Sequence, residues 1–300
     1  MANQHNIPIS IADIVIELHS PLSAAELGIE QRLGPFFGLT PQPLARVVLH
    51  WEESADTPEP RGTLVYDPGS IWRMYRDGAE FYAAITYHDD KQPAQMHSVL
   101  RANAAWNDLT LTEQRSVPAG RPHGTTWQSV LNIGAGELLL RTAVLFTDGL
   151  VFHASGIDDH GQGLVFVGHS GAGKSTHACL WTQEPGVIAM NDDRIAVRVN
   201  AHTAMCYGTP WGGTANIARN HAAPLRAIIL LEQAPENRIE QLAPTAAAPL
   251  LLARTFLPYW DAPLLQRALT NLNTILARTP VFRLRCRAEK AVIPLVRAAL

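Results

Sequence analysis

The chain has 300 residues, of which 47% are hydrophobic and 17% are charged. Its 24 basic and 27 acidic residues give a formal net charge of −3, which excludes a strong nonspecific attraction to nucleic acid. Three scattered cysteines do not make a disulfide framework, and no apolar run reaches the roughly 20 residues of a membrane span. The first residues lack the basic and apolar regions of a signal peptide. The composition therefore predicts a soluble cytoplasmic protein that binds neither nucleic acid nor membrane.

The N-terminal part of the chain predicts short strands separated by proline, glycine and aspartate. These strands suit a β-meander or a curled sheet, and their aromatic residues are expected to form its core. The segment 116–124 reads as a linker, so we predict a smaller β-rich N-terminal domain over 1–120 and a second domain over 121–300. The β-rich domain could recognise a substrate or mediate contacts in a homo-oligomer. The predicted strands cover residues 7–18, 45–51, 62–66, 70–76 and 80–87.

The second part alternates strand and helix patterns, which predicts an α/β domain and an α+β protein overall. Apolar residues at helical spacing over 127–146 follow a plausible N-cap at Thr126. Further helices are predicted over 175–182, 246–257, 263–276 and 289–299. The predicted strands are 150–155, 164–167, 187–190, 195–199, 227–232 and 281–286. The arginines of the segment 283–287 alternate as in an edge strand with one solvated charged face.

One segment between a predicted strand and a predicted helix matches the phosphate-binding pattern G-x-x-x-x-G-K-[ST], the Walker A motif. Glycines allow backbone N–H groups to surround phosphate oxygens, and the following helix directs its positive end at the same anion. The lysine can reach the β- and γ-phosphates, and the first hydroxyl can bind Mg²⁺. The nine matching residues are Gly168, His169, Ser170, Gly171, Ala172, Gly173, Lys174, Ser175 and Thr176. The pattern predicts nucleoside triphosphate binding without selecting a reaction.

Two features beside the motif narrow the reaction. His153 lies at the end of the strand before the motif, and Asp192-Asp193 follows the strand after it. Adjacent side chains point to opposite faces of a regular strand, so both aspartates can act at one site only from a turn beyond the strand. A carboxylate is the group that a hydroxyl nucleophile needs as proton acceptor, and a second one can bind Mg²⁺.

The order strand-His, hairpin, phosphate loop, helix, strand, Asp-Asp resembles the catalytic domain of the HPr kinase/phosphorylase family. It resembles more loosely the ATP-dependent phosphoenolpyruvate carboxykinases that share its core. The His-Ala-Ser stretch at 153–155 and the Thr-Pro-Trp stretch at 209–211 are most similar to the HPr kinase-like proteins of peptide-modification gene clusters. The matching motifs lie within residues 125–300. The resemblance implies a phosphate-loop kinase domain of this family at the C-terminal end of the chain.

The resemblance implies an ATP-dependent kinase that transfers the γ-phosphoryl group to a Ser or Thr hydroxyl of a peptide or small protein. ATP would bind to residues 168–176, and Mg²⁺ to Ser175 and one aspartate, which we take to be Asp193. Asp192 would accept the proton, with His153 and Lys174 completing the catalytic set. Which aspartate is the base and which binds metal stays open. The alternative is a nucleotide-binding regulatory module without phosphoryl transfer. An ABC ATPase is disfavoured because no L-S-G-G-Q-like signature is present.

The chain departs from the HPr kinase pattern after the aspartate pair. The acidic, glycine-rich signature of that family is replaced by Gly-Thr-Pro-Trp-Gly-Gly-Thr at 208–214. With this departure, it stays open whether HPr is the substrate and whether the chain has phosphorylase activity. Trp211 either lines a groove or packs in a turn, and Arg219 or Arg226 could supply a cation that stabilises charge.

Overall fold

A computed structural model describes residues 4–89, 92–114, 128–200 and 203–300, with the side chains of 87–89 and 92–96 left out. Its contacts divide the chain into two compact units, Met1–Ala143 and Val144–Leu300. The described residues form sixteen strands and six α-helices, a mixed α/β structure. The predicted linker over 116–124 and the boundary after residue 120 lie outside the described residues, so both stay predictions.

The N-terminal unit is built on one eight-stranded sheet in the order β1-β2-β3-β8-β7-β6-β5-β4. Strands β4 to β8 form the antiparallel meander that the turn signals predict, while β2, β3 and β8 pair in parallel. The strands are β1 (His5–Ile11), β2 (Ile14–Ser20), β3 (Ala45–Ser54), β4 (Thr63–Tyr66), β5 (Trp72–Asp77), β6 (Glu80–Asp89), β7 (Gln92–Ala102) and β8 (Asp108–Gln114). The helices are α1 (Glu30–Leu33), 3₁₀ turns at Gly34–Phe36 and Val130–Asn132, and α2 (Ala135–Leu145).

The first predicted strand, 7–18, is two strands of a hairpin. Ala12 and Asp13 form its turn with φ of 53° and 58°, and Ile11 pairs with Ile14 across it. Two left-handed residues give the twist that a two-residue hairpin requires. Alanine carries no turn signal, so the apolar alternation masks the turn in the sequence.

The helix predicted over 127–146 is shorter than its apolar spacing suggests. Ser129 caps a 3₁₀ turn instead, its side chain accepting a hydrogen bond from the Leu131 amide, and α2 begins only at Ala135. Gly134 lies so close to Ile71 that a Cβ would be 3.1 Å from that side chain. A side chain at position 134 would therefore press against Ile71 just before α2. The proposed N-cap, Thr126, lies outside the described residues.

A buried carboxylate organises the core of the N-terminal unit. Of the aromatic residues predicted to form this core, Trp51, Phe81 and Tyr82 are buried, whereas Tyr66, Trp72 and Tyr75 are only half-buried. Glu113 is buried as well. Glu113 accepts hydrogen bonds from Trp51 Nε1 at 2.6 Å, Ser129 Oγ at 2.5 Å and the Val130 amide at 2.8 Å. Burial raises the pKa of Glu113, and these donors oppose that shift. The carboxylate thus joins β8 to the 3₁₀ turn.

Glu113→Gln is expected to destabilise the chain by about 1–3 kcal/mol, since in either orientation the amide NH₂ would face an N–H donor, Trp51 Nε1 or the Val130 amide. Chemical denaturation should show the loss. Glu52→Gln is the matched control, because Glu52 is exposed on β3 of the same sheet and should change stability by less than about 0.5 kcal/mol. Equal stability of the two variants would contradict the role of Glu113 in joining β8 to the 3₁₀ turn.

The C-terminal unit carries the remaining strands and helices. Its strands are β9 (Gly149–Asp159), β10 (Gln162–Val167), β11 (Val187–Asn191), β12 (Arg194–Val199), β13 (Ala204–Gly208), β14 (Ala222–Gln233), β15 (Arg238–Leu242) and β16 (Val281–Cys286). Its helices are α3 (Lys174–Trp181), α4 (Pro244–Leu252), α5 (Ala262–Leu276) and α6 (Val292–Ala299). The sequence predicts each of these elements except β13 and β15, with two corrections. The helix predicted over 246–257 ends at Leu252, and Thr255 forms a bridge with Phe152 of β9. Strand β9 continues to Asp159, so His153 lies within the strand and not at its end.

The sheet of this unit runs β10-β9-β12-β13-β14-β16-β15, with β11 paired to β9 and β10 also paired to β14. Strands β10, β14 and β16 are parallel neighbours, so their carboxyl ends, Val167, Gln233 and Cys286, lie at one edge. Every residue of β10 after Gln162 is buried, as expected for a strand covered on both faces. Ligands of α/β proteins bind beyond this edge of a sheet.

The arginine-rich segment 283–287 does not form an edge strand, so that prediction is wrong. Strand β16 lies between β14 and β15 and pairs with both. Arg283 and Arg285 form ion pairs with Glu232 on β14 and Glu240 on β15. Carboxylates on both neighbouring strands compensate the charge of an interior strand, which the local sequence does not reveal.

Within the residues that the structure describes, no helix is long and apolar enough to cross a membrane.

Candidate active site

The loop between β10 and α3 has the backbone of a phosphate cradle. Gly171 and Gly173 have φ of +81° and +98°, a conformation that side chains rarely adopt, and a Cβ at Gly168 would lie 2.7 Å from that of Ala172. Gln233, at the carboxyl end of β14, donates from Nε2 to the Gly171 carbonyl at 2.9 Å. The loop is therefore held open at the amino end of α3, where the helix dipole favours an anion.

Lys174 extends back along this loop. Its Nζ donates to the carbonyls of Gly168 at 3.2 Å and His169 at 3.3 Å, and the residue is 7% exposed. Burial lowers the pKa of Lys174; the charge of Asp193 opposes this shift and that of Arg254 adds to it. The lysine is thus a cation with few protein partners for its charge, suited to an incoming anion.

The predicted aspartate pair forms the turn between β11 and β12, as the alternation argument requires. Asn191 organises this turn: its Oδ1 accepts the amides of Asp193 and Arg194, both at 2.7 Å, and its Nδ2 donates to the Thr209 carbonyl at 2.8 Å. Asn191 is fully buried. It therefore fixes the direction of the two aspartates and joins them to the segment 209–217, which we call the glycine loop.

The carboxylate of Asp192 is hydrogen-bonded to the glycine loop. It accepts hydrogen bonds from the amides of Gly213 at 2.7 Å, Ala215 at 2.8 Å and Ile217 at 3.1 Å. Asp192 is 1% exposed, and a Cβ at Gly213 would lie 2.9 Å from its Oδ2. Three backbone donors occupy its lone pairs, so this carboxylate is engaged in holding the loop.

Asp193 points instead toward the other predicted site residues. Its Oδ1 lies 2.8 Å from His153 Nε2, and its Oδ2 accepts a hydrogen bond from Arg194. Burial raises the pKa of Asp193, but the hydrogen bond from His153 and the charges of Arg194, His153 and Lys174 together hold that pKa below its usual value. The structure thus brings His153, Lys174 and Asp193 together, with an ionised carboxylate between two basic groups.

Ser175 is held beside this turn. Its hydroxyl donates to the Asp192 carbonyl at 3.3 Å, and Ser155 on β9 donates to the Lys174 carbonyl at 2.9 Å. These bonds join the start of α3 to the turn of Asp192 and Asp193, which we call the Asp turn, and to the strand that carries His153. Within the described residues no three His, Cys, Asp or Glu side chains converge as a metal site. A cation there would depend on a phosphate ligand in addition to Ser175 and Asp193, as Mg²⁺ does in nucleotide enzymes.

Two residues that the sequence does not single out also lie at the site. The extended segment after α4 pairs with β9: the Arg254 carbonyl accepts the His153 amide at 2.8 Å, and Phe256 lies 6.3 Å from the His153 ring. Among the described residues no carboxylate forms an ion pair with Arg254, whose charge acts on Lys174. No motif precedes these residues, so only the pairing with β9 reveals them.

A cavity of about 480 Å³ opens on the outer side of the phosphate loop. It is lined by loop residues, by Gln233 and by the pair His177–Cys286, whose Nε2 and Sγ lie 3.4 Å apart. Burial lowers the pKa of His177 to about 4 and raises that of Cys286 to about 11, so both groups are neutral near pH 7. The cavity lies next to the loop and carries no acidic lining residue.

Three other residues of interest take no part in the site. Trp211 is 3% exposed, so it packs in the turn and lines no groove. Arg226 lines a separate cavity with Asp159 and Arg297, near the start of β10. Arg219 is exposed, and its amide donates to the Met190 carbonyl. Of the arginines at the site, Arg287 lines the cavity beside the phosphate loop, and the charge of Arg254 acts on Lys174.

Residues 128–297 match the family model of ScmC, a SynChlorMet cassette protein. The chain belongs to the ScmC family. This match agrees with the predicted resemblance to proteins encoded in gene cassettes. Among solved structures, the Hpr(Ser) kinase/phosphatase from Coxiella burnetii matches at 13% identity with a TM-score of 0.29, over 50% of this ScmC-family chain and 95% of that chain. No protein with a curated description matches.

Proposed function

We propose that this ScmC-family chain is an ATP-dependent phosphotransferase that moves the γ-phosphoryl group of ATP to a hydroxyl group. One observation carries the proposal: the phosphate loop and the Asp193–His153 pair form one site, because Ser175 at the start of α3 bonds to the carbonyl of Asp192 in the turn that carries Asp193. A phosphate cradle beside an ionised carboxylate provides the two parts that phosphoryl transfer to a hydroxyl needs.

The residues present fit Mg²⁺ and ATP. The left-handed glycines and the amino end of α3 suit the phosphates, and Lys174 has the charge to pair with them. The cavity lined by Gln233 and His177 is large enough for a nucleoside and touches the loop. Ser175 supplies a hydroxyl ligand for Mg²⁺, and because Asp193 is assigned as the base, the remaining ligands would be phosphate oxygens and water. When bound, Mg²⁺ would neutralise the phosphate charge.

Four side chains have roles in the proposed reaction. Asp193 accepts the acceptor's proton, and His153 holds that carboxylate in place. Lys174 and Arg254 compensate the charge of the transferred group. The acceptor oxygen forms a bond to the γ-phosphorus while the bond to the bridging oxygen breaks, and that electron pair stays on ADP. The three amides on Asp192 support Asp193 as the base.

The test is incubation of the purified chain with Mg²⁺ and ATP and candidate acceptors, read by mass for one added phosphate. Ser and Thr peptides or small proteins come first, because the HPr kinase resemblance implies them. Transfer that requires both ATP and Mg²⁺ is the expected result. ATP binding without transfer to any peptide, protein or small-molecule hydroxyl would reject the proposal in favour of a regulatory nucleotide-binding module.

A further inference from the structure

Basic and aromatic side chains share one face of the sheet beside Asp193. Arg194 and His153 are direct partners across β12 and β9, so both side chains extend from the same face. The segment with Arg254 and Phe256 pairs with the other edge of β9. Its alternate residues also share a face, and the ring of Phe256 contacts both His153 and Arg194. The four side chains therefore line one surface.

Arg194 has a defined orientation on this surface. Its guanidinium carbon lies 5.7 Å from the centre of the Phe256 ring, and NH1 donates to Asp193 Oδ2. The side chain is 23% exposed. A ring beneath the guanidinium fixes the plane of the donor fork, and this fork binds carboxylates through two parallel hydrogen bonds. Arg194 can therefore present an oriented cation immediately beside the proposed base.

The two arginines act on different parts of the site. Arg194 donates to Asp193 Oδ2, whereas the Arg254 segment contacts the site through its carbonyl, which accepts the His153 amide. Arg194 is therefore the arginine bonded to the proton-accepting group. An acceptor hydroxyl must lie at Asp193, so a group bound by Arg194 would be attached to the acceptor molecule.

We propose that Arg194, seated on Phe256, binds a carboxylate that lies close to the acceptor hydroxyl. The inference rests on the proposed phosphotransferase function and names its substrate class, acidic hydroxyl compounds. A Ser or Thr next to Asp or Glu in a peptide has this chemistry, and so does a free hydroxy acid. Pairing of the carboxylate with Arg194 would place the hydroxyl against Asp193, since the two residues are adjacent and in contact.

The experiment compares matched acceptors with the full chain, Mg²⁺ and ATP. Three peptides carry one serine flanked by glutamate, glutamine or lysine, and a fourth acceptor is a free hydroxy acid such as malate. We expect kcat/KM for the glutamate peptide to exceed that of the glutamine peptide by about 10–100-fold, mainly through KM. Use of the free hydroxy acid at a comparable rate would identify a small-molecule source of the same chemistry, and use of the glutamate peptide alone a peptide source.

Arg194→Gln should abolish the preference for glutamate over glutamine, while the affinity for a non-hydrolysable ATP analogue stays within about twofold of wild type. Arg194→Lys, which keeps the charge but not the fork, should retain part of it. Arg226→Gln is the matched control in the separate cavity, and it should leave the preference intact. Thermal unfolding of each variant verifies the fold.

Equal use of the glutamate and glutamine peptides by the wild type would overturn the inference and leave the phosphotransferase intact. An unchanged glutamate preference in folded Arg194→Gln would do the same. Absence of transfer to every acceptor, with the ATP analogue bound, would reject the phosphotransferase itself. The ratio between peptides is the decisive measurement, because a general effect of Arg194 on Asp193 would slow all acceptors alike.

Discussion

Asp193→Asn is expected to lower the rate of phosphoryl transfer by about 10²–10⁴-fold, the usual contribution of a positioned general base. The substitution keeps an oxygen that can accept the hydrogen bond from His153 but removes the charge that accepts a proton. Binding of a non-hydrolysable ATP analogue without Mg²⁺ should change by less than about threefold. Single-turnover measurement of phosphate incorporation separates the chemical step from binding.

Asp192→Asn is the matched variant, one residue earlier in the same turn. Here the amide NH₂ would face backbone N–H donors of the glycine loop, so a loss of about 1–3 kcal/mol in stability is expected. Transfer by the folded protein should fall far less than in Asp193→Asn. The reverse pattern, with folded Asp192→Asn inactive and Asp193→Asn active, would assign the base to Asp192.

Lys174→Met should reduce transfer by about 10³-fold, because it removes the cation that faces the transferred phosphoryl group. Affinity for ATP should fall at least about tenfold. Stability should change by less than about 1 kcal/mol, because methionine fills a similar space and removes a charge that burial penalises. Calorimetric titration with ATP and denaturant unfolding measure the two effects separately.

Lys290→Met is the control for this substitution, because Lys290 is exposed before α6. It should bind ATP and transfer phosphate as the wild type does. Retention of both ATP affinity and transfer in Lys174→Met would show that the loop does not bind the triphosphate through this lysine. A simultaneous loss of folding would appear in the unfolding measurement and would contradict the expected tolerance of the site.

The Asp turn shows how much of the site a local sequence pattern can predict. The alternation of side chains along a strand requires the two aspartates to lie beyond β11, and they do. Local sequence cannot distinguish their roles, because the difference arises from amides more than twenty residues later in the glycine loop. The role of Asn191 is partly local, since its Oδ1 accepts the amides of Asp193 and Arg194, but its bond to the Thr209 carbonyl joins distant segments. Arg254 entered the site only through the pairing of its segment with β9.

The sequence by itself determined the parts whose physics is local. The phosphate loop, the helix after it and most strands of the C-terminal unit follow from glycine conformation and apolar spacing over a few residues. Only the tertiary structure decided that Asp192 is bound to the glycine loop, that Asp193 faces His153 and Lys174, and that Arg194 lies on Phe256. These choices depend on hydrogen bonds and charges between distant segments, which no local pattern records.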